Sequence, residues 1–136
     1  MIKRKKIIVT AIVLIIALFS ACYDDENNFI AEIHDKTVEI TYYVGTKTNI
    51  NIPQRIQKLP VTAIGKRAFA GKKLTGVKIP NGVTVIDNFA FYENHLSKII
   101  IPDTVVSIGD AAFAYNELTS VKIPDTVTGI GAAVFA

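Results

Sequence analysis

From Val61 to Ala136 the chain repeats with a period of 22 residues and no gap. Five columns keep the register. Val61, Val83, Val105 and Val127 form one, and Ile64, Ile86, Ile108 and Ile130 a second. Phe69, Phe91, Phe113 and Phe135 are the third, Leu74, Leu96 and Leu118 the fourth, and Ile79-Pro80, Ile101-Pro102 and Ile123-Pro124 the fifth. A 22-residue unit is too small to enclose its own apolar side chains, whereas stacked copies lay like on like and share one interior along the stacking axis. The repeat therefore predicts a β-rich solenoid.

Each unit reads as a closed coil. Leu74/Val77/Ile79, Leu96/Ile99/Ile101 and Leu118/Val121/Ile123 have a strand's spacing and are expected to pair in parallel. Pro80, Pro102 and Pro124 lack the N–H that would continue a ladder, and Asn81, Asp103 and Asp125 then favour a turn. A second short extended piece follows, Val83–Ile86, Val105–Ile108 and Val127–Ile130. Gly65, Gly109 and Gly131 come next and are expected at positive φ, with Asp87 as the tolerated exception. Ala68, Ala90, Ala112 and Val134 beside the Phe column suit a tight helical turn, and the four Phe side chains are expected to stack as a spine. Asn94 and Asn116, two residues before the Leu column, suit a buried ladder bonding the backbone of adjacent coils, with Lys72 in that place in the first coil.

The run from Val105 to Pro124, Val-Val-Ser-Ile-Gly through Ala-Phe, Asn and Leu-Thr-Ser-Val-Lys-Ile-Pro, resembles the BspA-like leucine-rich repeats of bacterial surface proteins. The resemblance spans residues 61–136, as three coils and a partial fourth that looks truncated, and implies an adhesin-like role in binding proteins or matrix. Residues 36–60 resemble the segment that opens such arrays. Val38, Ile40 and Tyr42 alternate and Gly45 supplies a turn, so a hairpin cap is expected, followed by about five extra residues as a loop before Val61.

Residues 1–21 read as an address. Lys3, Arg4, Lys5 and Lys6 precede an apolar run, Ile7–Phe19, and the small pair Ser20-Ala21. Fifteen residues span about 22 Å as a helix, short of the roughly 30 Å of a bilayer core, so a secretory leader is favoured over a permanent span. Leu18-Phe19-Ser20-Ala21-Cys22 resembles a lipoprotein lipobox, which implies a lipid on Cys22 and membrane anchoring. Residues 22–35 are then a tether. Its acidic run, Asp24-Asp25-Glu26, resembles the export signal of Bacteroidetes lipoproteins and implies an outer-membrane protein exposed at the surface.

The net charge of +3 belongs to the leader. Four of the 15 basic residues lie before residue 22, leaving 11 against 12 acidic ones. A near-neutral body argues against nucleic acid as partner. His34 and His95 share no ligand spacing with Cys22 or an acidic pair, so no metal or cofactor is expected, and no nucleophile and base recur together, so the chain is read as non-enzymatic. What remains is a surface: Asn49, Asn51, Lys78, Lys98, Ile100, Ser120 and Lys122 are expected to face outward from the leucine strands as a binding face. Two other readings stay open, a piece of a larger surface protein whose activity lies beyond residue 136, and an envelope spacer without a ligand.

Overall fold

The computed structural model describes residues 26–136 and the backbone of Lys5–Ile7; the rest of the expected leader, Cys22 and the start of the tether lie outside the described residues. Strands β1 (Lys5–Ile7), β2 (Phe29–His34), β3 (Thr37–Tyr43), β4 (Asn49–Asn51), β5 (Arg55–Ile56) and β6 (Leu59–Ile64) precede the regular coils. The coils contribute β7 (Gly76–Lys78), β8 (Val85–Ile86), β9 (Ser107–Ile108) and β10 (Gly129–Ile130). The result is a leucine-rich-repeat solenoid.

The principal sheet runs along the second extended pieces, in the order β1-β2-β3-β6-β8-β9-β10, with every pair from β3 onward parallel. Its register follows the repeat: Ile64, Ile86, Ile108 and Ile130 pair in file. The leucine side is paired as strands only between β4 and β7, so the expected ladder through Ile99–Ile101 and Val121–Ile123 is not continued there. Those coils are tied instead at the strand entry, where His95 N–H donates to Leu74 O (2.8 Å) and Glu117 N–H to Leu96 O (3.0 Å). Main-chain pairing concentrates where glycine and alanine columns let the coils close up. Phe69, Phe91 and Phe113 each donate an N–H to the coil ahead, at 2.8, 2.8 and 2.9 Å.

The hairpin cap exists, but one strand earlier than expected. β2 and β3 turn at Asp35-Lys36, not at Gly45, and β2 falls in the segment read as tether. Gly45 has another reason to lack a side chain, since a Cβ there would strike the Tyr43 ring. Register shifts across β2/β3, where Ile30 faces Tyr42 but Ala31 faces Ile40, leaving Thr41 as an extra residue. An extra residue inverts the alternation of side chains beyond it. Val38 and Ile40 are buried, Tyr42 turns out and Tyr43 turns in. The expected loop before Val61 is a second hairpin, β5 with β6, whose corner residues Gln57 and Lys58 have φ of 51° and 67°, the conformation of a tight two-residue turn.

The Phe spine is present and longer than the repeat. Phe69–Phe91, Phe91–Phe113 and Phe113–Phe135 centroids lie 5.0, 5.2 and 5.8 Å apart with near-parallel rings. Tyr43 extends it at 5.7 Å from Phe69, and Phe29 follows at 5.4 Å from Tyr43. The glycine column is explained differently from the sequence expectation: Gly65, Gly109 and Gly131 are not at positive φ. Left-handed backbone falls two residues later, at Arg67, Phe89, Ala111 and Ala133 (50° to 60°), inside paired i→i+3 closures such as Ala68 N–H to Gly65 O and Ala70 N–H to Arg67 O.

Close approach makes the glycines necessary. Asn88 Oδ1 accepts from Asp110 N–H (2.7 Å) and Asp110 Oδ1 from Ala132 N–H (2.8 Å), so a short polar side chain in one coil crosses to the next. A Cβ on Gly109 would sit on Asn88 Oδ1, and one on Gly131 on the Asp110 main-chain nitrogen. In the first coil Lys66 stands where Asn88 and Asp110 stand, with no such crossing bond. The coil after it carries Asp87 in the glycine column. Its Oδ1 accepts from Asn88 N–H at 2.6 Å.

Candidate interaction face

The inward residues of the leucine strand hold the outward ones in place. Leu74 and Leu96 are fully buried, and Ile79, Ile99 and Ile101 nearly so. Beside them Asn94, 4% exposed, bridges two coils: its Oδ1 accepts from Lys72 N–H (3.1 Å) and Leu74 N–H (2.9 Å). Its Nδ2 donates to Phe69 O (2.9 Å) and Phe91 O (3.0 Å). Asn116 makes a similar set with one acceptor bond fewer, accepting from Leu96 N–H (3.1 Å) and donating to Phe91 O and Phe113 O (2.9 Å each). Buried backbone groups left by the strand entry are thereby satisfied, which fixes the coil spacing. Lys72, in the asparagine column, instead places its Nζ 3.6 Å from the Tyr42 ring centroid.

Strand alternation turns Asn49, Asn51, Lys78, Lys98, Ile100, Ser120 and Lys122 outward, and all seven are exposed. Ile100 is 71% exposed, an unusual degree for a side chain of its size, between Lys78 and Lys122 of the adjoining coils. Among the described residues none of the three lysines has a carboxylate at ion-pair distance. A cleft of about 510 Å³ lies between the first and second coils beside β4, lined by Asn49, Gly76, Lys78, Lys98, Ile100 and Pro102. A second depression of about 670 Å³ shares Lys98 and Ile100 with it and continues to Ser120, Lys122 and Asp103. Asn81, read from the sequence only as a turn residue, lines the first cleft. It is the uncharged member of the column whose other members are Asp103 and Asp125.

The remaining sequence-selected residues take structural positions. Phe69, Phe91 and Phe113 lie in the core, while Phe135 is 38% exposed and Leu118 is only partly buried. Cys22 lies outside the described residues. His34 Nε2 lies 3.1 Å from Glu39 Oε2 and 3.9 Å from Glu32 Oε2, and His95 Nδ1 lies 2.9 Å from Glu117 Oε1, so the two histidines sit in separate groups. Among the described residues no group of three or more His, Cys, Asp and Glu side chains is arranged to hold a metal, and no helix is long and apolar enough to cross a membrane.

The family described as "BspA type Leucine rich repeat region (6 copies)" matches residues 41–136. This chain belongs to that family. The BspA-type match begins inside β3, so it leaves out β2 and most of β3 and takes in β4 to β6 as well as the regular coils.

Three solved leucine-rich-repeat proteins have similar folds. The T. pallidum Leucine Rich Repeat protein is 22% identical with a TM-score of 0.66, over 82% of this chain and 65% of its own. A leucine-rich repeat protein from Bacteroides capillosus is 24% identical with a TM-score of 0.61, over 78% of this chain and 89% of its own. One from Bacteroides ovatus is 24% identical with a TM-score of 0.55, over 86% of this chain and 38% of its own. The BspA-type chain thus spans less than two thirds of the first and third of these proteins. No curated protein matches it.

Proposed function

We propose that this protein is a membrane-anchored, surface-displayed leucine-rich-repeat scaffold that binds other proteins or matrix components, with a lipid on Cys22 as its anchor. The observation that carries the binding role is the outward face: three cations without carboxylate partners around a largely exposed Ile100, held in register by buried leucines and asparagines. Exposed apolar surface costs free energy in water, and a rigid scaffold pays little conformational entropy on association. The mechanism is display. The coils fix the spacing of outward side chains, and anchoring many copies on one membrane raises a small face's avidity.

The anchor is supported by the lipobox-like Leu18–Cys22 run at the end of a basic, apolar leader. Its test is Cys22→Ala in the natural host, read by membrane fractionation and gel mobility. The expected result is loss of the protein from the membrane fraction together with a mobility change. Unaltered mobility with full membrane retention would overturn the anchor. Protease added to intact cells tests display, with digestion of the repeat domain as the expected result and full protection as the contrary one.

A further inference from the structure

We propose that the cleft between the first and second coils binds an acidic, extended peptide segment carrying one bulky apolar side chain. This rests on the reading of the leucine-strand side as an interaction face and names the chemistry of its partner.

Two properties suit this cleft to such a ligand, and the first separates it from the neighbouring depression. The first is charge. Lys78 and Lys98 line it with Asn49, Asn51 and Asn81, and no carboxylate is among its lining residues. The turn column is aspartate in the next two coils, and Asp103 accordingly borders the second depression beside Lys98 and Lys122. Of these two depressions, the first therefore offers an anion two cations with no competing acid. The second property is apolar surface. Ile100 stands 71% exposed at the edge, with Ile99, Ile79, Val77 and Pro102 behind it. Covering Ile100 gains free energy only if the partner brings carbon to it, at about 25 cal/mol per Å².

Together these select the ligand. A sulfated polysaccharide would satisfy Lys78 and Lys98 but leave Ile100 wet, whereas an apolar peptide would fill the cleft and leave the lysines without a partner. An acidic peptide with a Phe or Leu does both, and the asparagine amides can bond its main chain. A cleft of about 510 Å³ takes an anchor side chain and its immediate neighbours. Attraction by exposed lysines weakens with salt, so the affinity should fall as ionic strength rises.

The experiment uses the complete protein and a synthetic Asp/Glu-rich peptide with one central Phe, compared with its Phe→Ala version and with a sulfated polysaccharide of similar charge, by calorimetry at two salt concentrations. Binding of the Phe peptide should weaken about tenfold, roughly one step of 1.4 kcal/mol, on Phe→Ala, on Ile100→Ser, and on each of Lys78→Glu and Lys98→Glu. Lys122→Glu should change it less than about twofold, the scale of a distant exposed charge. Lys78→Ala and Lys98→Ala provide milder versions of the charge changes. Equal affinity for the Phe and Ala peptides, tighter binding of the polysaccharide, or a Lys122→Glu effect as large as that of Lys78→Glu would each overturn the assignment.

A matrix-binding arm separates this from the broader reading. If immobilised matrix retains the wild type and the Lys78→Glu/Lys98→Glu variant alike, with no binding of the Phe peptide, the cleft assignment fails and the adhesive role stands. If the Phe peptide binds as stated while matrix does not retain the protein, the cleft assignment holds and matrix binding fails.

Discussion

Phe91 and Phe135 hold the same place in the 22-residue unit, yet one is fully buried and the other 38% exposed. The Leu column divides likewise: Leu74 and Leu96 are fully buried, Leu118 only partly. Nothing inside the unit accounts for this, because the columns are chemically alike. What differs is whether a coil stacks on both sides or on one. Burial in this fold is a property of neighbours, and the interior belongs to pairs of adjacent coils more than to any coil alone.

The comparison breaks most sharply at the spine. Phe91→Ala removes a ring stacked against Phe69 and Phe113 and should destabilise by about 3 to 5 kcal/mol, whereas Phe135→Ala should cost about 1 kcal/mol, measured by urea unfolding. Similar values for the two would mean that the coils do not share one interior. The asparagine ladder gives the next effect. Asn94→Ala strands the Leu74 N–H and Phe69 O inside the protein and should cost about 2 to 3 kcal/mol. Asn116→Ala should cost less, since its surroundings are only part-buried and water can replace its bonds.

The glycine column sharpens the comparison at smaller magnitude. Gly109→Ala forces a methyl group onto Asn88 and should cost about 1 to 3 kcal/mol, read as a lowered thermal midpoint. Asp87→Asn, in the same column but after a coil that sends no side chain across, keeps an Oδ1 acceptor for Asn88 N–H and should change stability by less than about 0.5 kcal/mol. If both changes cost alike, backbone conformation and not the crossing side chain decides the column.

The solenoid was legible because five columns recur at one period, and only stacking gives such columns a common environment. The spine and the asparagine positions followed from chemistry repeated within the columns. Features arising from contacts between columns were not legible. Gly65, Gly109 and Gly131 looked like left-handed positions, and only their neighbours reveal a steric cause, Glu39 and Ile40 of β3 at Gly65 and the crossing Asn88 and Asp110 at Gly109 and Gly131. The cap was read one strand late because Phe29–His34 follows a polar run and breaks the repeat's register. Tyr43 joined the spine unannounced, since the extra residue at Thr41 reverses the alternation on which the reading relied. The outward residues were nameable from alternation. The distinction between the two depressions was not, because it depends on which coil supplies Asn81 and which supplies Asp103.

The crossing bond from Asn88 to the coil ahead, with the glycine that receives it, works as a plug and socket keyed to one repeat length. A duplicated stretch of 22 residues carrying both halves would seat between existing rungs and renew the same connector at its far side. Loss of a whole stretch would heal in the same way. The architecture can thus grow or shrink by recombination in steps of one rung, and each added rung would bring a fresh row of outward residues for selection to edit.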